Sequence, residues 1–200
     1  MITLMIGITG VAKSGKDTLY KLLERKIKEK GLSCKRFALA DSLKDDLKEF
    51  IFSKFSISLD DLKPKDKDLI RPILVAYGKI KRDLTKGRYW ISFLENKIKK
   101  DEELFLPIIT DIRYAEFDND EADWILNQNS GILVHVSRVE NGKIIQPANL
   151  EEEKNDLMLS NKSHYKLVWC SESDLDSLYS KYNKNLEEIY QLYARHRLNK

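Results

Sequence analysis

Hydrophobic and polar positions alternate with two different periods along the chain, and together they predict an α/β fold. Short apolar runs predict five buried strands, at 2–9, 34–39, 105–110, 132–136 and 166–169. The stretches between them carry apolar residues at every third or fourth position, a spacing typical of amphipathic helices. Strands that alternate with helices predict a five-stranded, mostly parallel sheet with helices on both of its faces.

The helical pattern is clearest directly after the first strand and at the end of the chain. Apolar residues at 19, 22, 23 and 27 predict a first helix that ends near Gly31. Further helices are predicted from Ser42, where Asp45 follows three residues later as in a capping box, and at 69–84, 89–100 and 115–127. A long final helix is predicted after the fifth strand, with one apolar face formed by Leu175, Leu178, Tyr182, Leu186, Ile189 and Tyr193.

Two polar stretches interrupt this alternation. Residues 53–68 form a connection rich in lysine and aspartate, and residues 140–162, which contain Gly142 and Pro147, are predicted to form a long loop. Long connections in a compact domain are often functional lids. We therefore expect a single domain over residues 1–200, with a helical insert at 53–100 and a lid-like loop at 139–163.

The charge balance of the chain limits which classes of ligand it is expected to bind. The chain has 200 residues, with 35 Lys and Arg against 32 Asp and Glu, so its formal net charge is only +3. Proteins that hold a nucleic-acid duplex usually carry a denser basic excess. Nucleic acid is therefore not expected as the primary ligand, whereas small anionic molecules are not excluded as ligands.

The cysteines and the N-terminal sequence help to predict the cellular compartment of the protein. Cys34 and Cys170 are too few and too far apart in the sequence to suggest a disulfide framework or a zinc cluster. The N-terminal residues show neither the basic region nor the cleavage site of a signal peptide. No apolar run approaches the roughly 20 residues that span a bilayer. We expect a cytoplasmic protein without a membrane partner.

The strongest chemical signal is the segment Gly10-Val11-Ala12-Lys13-Ser14-Gly15-Lys16, which fits the pattern G-x-x-x-x-G-K. It lies between a predicted buried strand and an amphipathic helix, which is the context that a phosphate-binding loop requires. Glycines let the chain turn tightly, so that backbone N–H groups converge on phosphate oxygens at the positive end of the helix. Lys16 would bridge the β- and γ-phosphates of a nucleoside triphosphate and stabilise charge during phosphoryl transfer.

The residue after Lys16 departs from the usual pattern. A Ser or Thr at this place normally binds Mg²⁺ through its hydroxyl, but this chain has Asp17 followed by Thr18. The Asp17 carboxylate could bind the metal directly or through water, or Thr18 could take its place. The sequence leaves both alternatives open.

Polar residues at the predicted carboxyl ends of strands are further candidates, because open α/β sheets bind ligands there. Asp41 and Lys44 follow the second strand, although Asp41 could equally be a helix N-cap. Asp111 and Arg113 follow the third strand; the acid is placed to organise a metal, and the arginine to neutralise phosphate charge. A simple salt bridge in a loop is the alternative for that pair.

The helical insert at 53–100 is the expected acceptor-binding region. Arg71, Arg82 and Arg88 surround Gly78 there, and arginine side chains match phosphate oxygens geometrically. Arg138, just after the fourth strand, is a candidate lid arginine. For each of these residues, ordinary solvated charge on a helix or loop is the alternative.

Several segments together resemble the deoxynucleoside monophosphate kinases of tailed bacteriophages and their bacterial relatives. The resemblance covers roughly residues 2–140 in order. It is carried by Gly-Lys-Asp-Thr at 15–18, Phe-Ala-Leu-Ala-Asp-Ser-Leu-Lys at 37–44, Ile-Arg-Pro-Ile-Leu at 70–74 with Gly78, Arg82 and Trp90 downstream, Thr-Asp-Ile-Arg-Tyr at 110–114, and Val-Ser-Arg at 136–138.

The resemblance implies a P-loop NTPase fold and an ATP- and Mg²⁺-dependent transfer of phosphate to a deoxynucleoside monophosphate. It implies ATP contacts from residues 13–18, acceptor contacts from Asp41, Lys44, Arg71 and Arg82, and charge stabilisation by Arg113 and Arg138. We also expect Arg88 and Trp90 on the acceptor side. A viral member of such a family would act in the host cytoplasm.

Two departures from the family pattern stand out. Ala115-Glu116-Phe117-Asp118 occurs where the family often has Asn-Glu, and residues 170–173 replace a frequent Asn-x-Gly. Kinases for other phosphorylated acceptors, of the dephospho-coenzyme A or phosphomevalonate type, have a comparable layout. An alternative from another functional class is a non-catalytic module that senses nucleotides. In that case the apolar face of the final helix could form a dimer seam, that is, the interface of a homodimer.

Overall fold

A six-stranded sheet forms the centre of the computed structural model, which describes residues 4–101, 104–170 and 174–198. The strands are β1 (Ile6–Thr9), β2 (Cys34–Phe37), β3 (Leu106–Ile112), β4 (Ile132–Glu140), β5 (Lys143–Ile144) and β6 (Tyr165–Cys170). Five of them are parallel in the order β2-β3-β1-β4-β6. The two-residue β5 pairs antiparallel with the end of β4. The predicted mostly parallel sheet is therefore confirmed, with β5 as an addition.

Helices cover both faces of this sheet. They are α1 (Lys16–Glu29), α2 (Leu39–Phe55), α3 (Pro64–Leu84), α4 (Arg88–Lys100), α5 (Glu121–Asp123), α6 (Leu150–Lys162) and α7 (Leu175–Leu198), and a π-helical segment, Trp124–Gln128, follows α5. Side chains of a strand point alternately to the two faces of a sheet. Accordingly Ile6 and Ile8 pack on the side of α1 and α7, whereas Met5 packs on the side of α4 and the π-helical segment.

The final helix is buried along the apolar face that its sequence predicts. Leu178, Tyr182, Leu186, Ile189 and Tyr193 all lie in the core on the α1 side of the sheet, whereas Leu175 is exposed. This face is covered within the chain and is therefore not available as a dimer seam. None of the helices in the described ranges is long and apolar enough to cross a membrane.

The predicted long loop at 140–162 is wrong, because this segment contains β5 and the thirteen-residue α6. The Asn149 side chain caps α6 by accepting a hydrogen bond from the Glu152 amide at 2.9 Å. Only two residues of the helix, Asn155 and Leu159, are buried. A helix with so narrow a buried face gives a weak apolar period, which explains why the pattern did not predict it.

The helix predicted at 115–127 is confirmed only over its second part, where α5 and the π-helical segment cover residues 121–127. Residues 113–120 stay irregular because buried carboxylates accept their backbone amides: Asp120 accepts from Glu116 at 2.7 Å and from Phe117 at 3.0 Å. Such bonds offer the backbone an alternative to helical pairing. The second helix begins at Leu39 rather than at Ser42, and α3 begins five residues before the predicted 69. Residues 2, 3 and 171–173, which belong to two predicted features, lie outside the described ranges.

Candidate functional site

The loop at residues 10–15 joins β1 to α1 and takes a conformation that requires glycine at both ends. Gly10 has φ +139° and Gly15 has φ +91°, values that residues with a side chain rarely adopt. A Cβ atom on Gly10 would lie 2.2 Å from the carbonyl oxygen of Val136 in β4. A Cβ atom on Gly15 would lie 2.3 Å from the Trp169 ring. The tight turn thus depends on the strands around it.

Trp169 in β6 supports this loop from inside the protein. Its indole Nε1 donates a hydrogen bond of 2.9 Å to the carbonyl oxygen of Ser14, and its ring packs against Gly15. The Ser14 hydroxyl is fully buried, and no group in the described ranges forms a hydrogen bond with it. Such a buried polar atom calls for a partner. No sequence pattern predicts this role of Trp169, since β6 is far from the loop along the chain.

Lys16 begins α1 and folds back over the loop. Its ammonium group donates to the carbonyl oxygens of Gly10 and Val11, each at 2.7 Å. Burial lowers the pKa of Lys16 to about 8, and the positive charge of Arg113 acts in the same direction. The negative charges of Glu152, Asp111 and Asp17 oppose this shift. The amine is therefore mostly protonated at neutral pH and lies among four charged groups from three segments: α1, the end of β3 and α6.

An acidic side chain from α6 contacts the loop directly. The Glu152 carboxylate accepts a hydrogen bond from the Ala12 backbone amide at 2.8 Å through Oε1, and one from the Ala148 amide at 2.7 Å through Oε2. The loop amide is therefore bound to an anionic oxygen, as a phosphate-binding loop would bind its ligand. Sequence reasoning missed Glu152 because it interpreted this segment as a loop.

Asp111 lies at the end of β3 and caps the second helix. Its two carboxylate oxygens accept the amides of Leu39 and Ala40, both at 2.8 Å. This cap explains why α2 begins at Leu39, where no local side chain caps it. Burial raises the pKa of Asp111, while the two amide hydrogen bonds act against the shift. Its predicted role as a metal ligand would have to use the remaining lone pairs, and it stays a prediction.

Arg113, two residues beyond Asp111, is placed by a buried carboxyl group. Glu121 accepts the backbone amides of Arg113 at 2.6 Å and Tyr114 at 3.1 Å through one oxygen. Burial raises the pKa of Glu121 to about 8. The Arg113 guanidinium itself is exposed, and within the described ranges it has no hydrogen bond or ion pair. It is thus free to bind a ligand beside Lys16.

Arg36 in β2 forms ion pairs with two of the predicted acidic residues, Asp17 of α1 and Asp41 of α2. Its guanidinium contacts Asp17 at 3.3 Å and Asp41 at 3.0 Å. Asp41 lies in the first turn of α2 and also faces Lys44 at 3.6 Å, so it is not the N-cap of this helix. The Asp17 side chain is 74% exposed. The structure therefore brings the predicted residues Asp17, Asp41 and Lys44 to the mouth of the loop.

Three residues predicted for the acceptor side are held inside the protein framework. Arg82 is 4% exposed, forms an ion pair with Glu116, and lies over the Tyr114 ring at 3.7 Å. Arg88 donates to Gln128 at 2.9 Å and pairs with Glu95 at 3.2 Å, and the buried Trp90 donates to the Gly78 carbonyl at 3.3 Å. These contacts brace α3 and α4, and any acceptor role for the three residues stays a prediction.

The remaining predicted residues range from exposed to partly buried. Arg71 on α3 is 60% exposed and only loosely paired with Asp68, at 3.9 Å. Arg138 on β4 pairs with Glu140 at 2.6 Å, and Lys13 is exposed in the loop with φ +65°. Thr18 is half-buried in the first turn of α1. The site proper thus consists of the loop with Lys16, the end of β3 with Asp111 and Arg113, and the start of α6 with Glu152.

Neither a scan against protein-family models nor a search of the curated proteins found a match for this chain. Over residues 4–101, 104–170 and 174–198, no group of three or more His, Cys, Asp and Glu side chains is placed to hold a metal ion.

Proposed function

We propose that this protein binds ATP through the loop at residues 10–16 and transfers the terminal phosphoryl group to a deoxynucleoside monophosphate. The observation that carries the proposal is the geometry of the loop between β1 and α1. Its two glycines have positive φ angles, and its Lys16 ammonium lies over the turn. The Ala12 amide is already bound to a carboxylate oxygen, which supports an affinity of this loop for anions.

The residues of the loop fit a chain of phosphates. Backbone N–H groups at the N-terminus of α1 carry positive partial charge, and the buried Ser14 hydroxyl offers a further donor. Lys16 would donate to phosphate oxygens in place of the carbonyls of Gly10 and Val11. Arg113, which is unpaired among the described residues, would stabilise the charge that develops on the transferred group, together with Arg138.

A magnesium ion would assist by neutralising phosphate charge when bound with the nucleotide. Asp17 and Thr18 at the start of α1, together with Asp111 at the end of β3, are the residues that would hold it or its water ligands. Asp17 is the most available of these, because its carboxylate is largely exposed and has only a 3.3 Å contact to Arg36. Oxygen ligands of this kind suit Mg²⁺, which keeps several waters in most protein sites.

The acceptor would lie between the start of α2 and the helical insert. Asp41 and Lys44 line the mouth of the loop, and Arg71 carries an accessible guanidinium on α3. Arginine recognises phosphate through paired hydrogen bonds, which suits an acceptor that already bears a monophosphate. The choice of a deoxynucleotide over another phosphorylated acceptor rests on the resemblance of residues 2–140 to the deoxynucleoside monophosphate kinases.

The decisive experiment measures ADP release from ATP and Mg²⁺ with each of the four deoxynucleoside monophosphates and without an acceptor. We expect one or more of them to stimulate ADP release, with the matching diphosphate appearing in equal amount. Lys16→Ala should lower this rate by at least about a thousandfold, because it removes a charge that is aimed at the transferring phosphate. The variant should keep the wild-type thermal unfolding transition.

The outcomes separate the alternatives. Equal ADP release with all acceptors and without any would reject a deoxynucleotide acceptor. Turnover at the wild-type rate in Lys16→Ala would reject the loop mechanism. ATP binding without turnover on any phosphorylated acceptor would favour a nucleotide-sensing role.

A further inference from the structure

The helix α6 is attached to the rest of the protein in two different ways along its length. Its C-terminal half is anchored in the core: Leu159 is 1% exposed and packs with the cluster around Trp124, and Asn155 is buried. The Asp156 carboxylate lies 3.0 Å from the Nε2 atom of the buried His135 in β4. Residues 155–162 are therefore fixed to the sheet.

The N-terminal half of α6 is held by polar contacts rather than by apolar packing. Glu152 accepts the Ala12 amide, Glu151 faces Lys79 of α3 at 3.3 Å, and Lys154 faces Glu116 at 3.8 Å. The apolar side chain of Leu150 is 83% exposed and adds no packing there. Exposed ion pairs contribute little to stability. This half of the helix can therefore leave the loop at low cost while the other half stays in place.

The carboxylate of Glu152 lies between the N-termini of two helices. It belongs to the first turn of α6, where a negative charge is favoured, and it accepts an amide of the loop that leads into α1. A phosphate oxygen that accepts a hydrogen bond from the Ala12 amide would have to occupy the position of the Glu152 carboxylate oxygen. Two anionic oxygens do not share one N–H donor, so Glu152 and a bound phosphate exclude each other.

We propose that Glu152 is a built-in competitor of the nucleotide: its carboxylate occupies the Ala12 amide of the empty loop, and the N-terminal half of α6 moves away when phosphates bind. This inference rests on the proposed binding of a nucleoside triphosphate by the loop. The affinity for the nucleotide is then reduced by the fraction of molecules in which Glu152 covers the loop. The loop is also kept from binding other small anions when no nucleotide is present.

Isothermal titration calorimetry with Mg²⁺-ATP and with tripolyphosphate tests this competition. Glu152→Asp keeps the charge but shortens the side chain by one methylene group, so that the carboxylate no longer reaches the loop. Glu152→Gln keeps the size but weakens the hydrogen bond to the Ala12 amide by removing the charge. We expect both variants to bind both ligands more tightly than the wild type, by about threefold to tenfold.

Glu153→Gln is the matched control, because Glu153 is exposed in the same turn of α6 and its side chain forms no hydrogen bond or ion pair with the described residues. Glu153→Gln removes the same charge as Glu152→Gln but leaves the contact with the loop in place. It should change the affinity for Mg²⁺-ATP and for tripolyphosphate by less than about twofold. Thermal unfolding verifies that all variants fold. Equal affinities of the wild type, Glu152→Asp and Glu152→Gln would overturn the competition while leaving nucleotide binding intact. Absence of ATP binding in every form would overturn both.

Discussion

At the scale of single residues, two carboxyl groups organise the end of β3, the partly buried Asp111 and the buried Glu121. Asp111 holds the start of α2, and Glu121 holds the backbone of Arg113 and Tyr114. Burial raises the pKa of Glu121 to about 8, and the negative charges of Asp111 and Asp120 add to the shift. Glu121 is therefore mostly protonated at neutral pH in the folded protein, although an unfolded chain would ionise it near pH 4.5.

This difference makes stability depend on pH with a definite sign. Because the folded state binds the Glu121 proton more tightly than the unfolded state does, its contribution is full below pH 4.5 and is lost as the pH rises towards 8. Glu121→Gln keeps an uncharged acceptor for the two amides and removes the titration. We expect it to match the wild type near pH 4.5 and to be more stable at pH 8 by roughly 1–3 kcal/mol.

Chemical denaturation of both proteins between pH 4.5 and pH 9 measures this effect. Glu153→Gln, an exposed change of the same kind, serves as the control for general charge effects. If the free energies of unfolding of the wild type and Glu121→Gln differ by a constant amount over this range, the proton is not held by Glu121.

At the scale of elements, the loop at residues 10–15 depends on β6. This strand follows α6 in the chain and pairs with β4, which brings Trp169 under the loop. The Trp169 indole donates to Ser14, and its ring leaves no room for a side chain at residue 15. Trp124 is also buried, but its indole Nε1 has no hydrogen-bond partner among the described residues.

Replacement of these two tryptophans by phenylalanine separates packing from support of the loop. Trp169→Phe and Trp124→Phe both put a smaller ring into a core, so both should lower the free energy of unfolding by about 1–3 kcal/mol. Only Trp169→Phe also breaks a hydrogen bond to the loop, and we expect it to weaken ATP binding by about fivefold to tenfold. Calorimetric titration of both variants measures this difference. Equal loss of affinity in the two would exclude a specific role for Trp169.

At the scale of the whole molecule, α2, α3 and the connection between them form a region with a small hydrophobic core of its own. Its cluster contains four buried residues, Leu47, Ile51, Leu59 and Ile70, whereas the two clusters on the sheet are far larger. Several large apolar side chains of α2 and α3 are exposed, including Phe52, Leu69, Val75 and Leu84. Regions with few buried apolar contacts open at lower free energy than the global core does.

Hydrogen–deuterium exchange of the ligand-free protein tests this difference directly. We expect the helical amides of α3 to exchange at least about tenfold faster than those of β1, β3 and β4, because α3 opens locally without disturbing the sheet. The helix α1, which packs on the sheet, is the internal control and should exchange as slowly as the strands. Equal protection of α1 and α3 would show that the insert unfolds only together with the sheet.

The local pattern of the chain was enough to predict the five parallel strands, the first and last helices, and the position of the loop between β1 and α1. These features depend on alternation within a few residues and on glycines and a lysine at fixed spacing, all of which can be read without knowing what lies nearby. The same reasoning put Asp41 and Lys44 at the carboxyl end of β2, and the contact of Arg36 with both Asp17 and Asp41 brings that region to the loop.

Contacts between distant segments decided the rest, since no local period encodes them. The helix α6 was not predicted because only two of its residues, Asn155 and Leu159, are buried. The contact of Glu152 with the loop was therefore not predicted either. Arg82 has an ordinary place on a helix in the sequence, but the chain beyond β3 folds over it and neutralises it with Glu116. Side-chain burial depends on which elements meet, so only the tertiary structure could separate this buried arginine from the exposed Arg71 and Arg113.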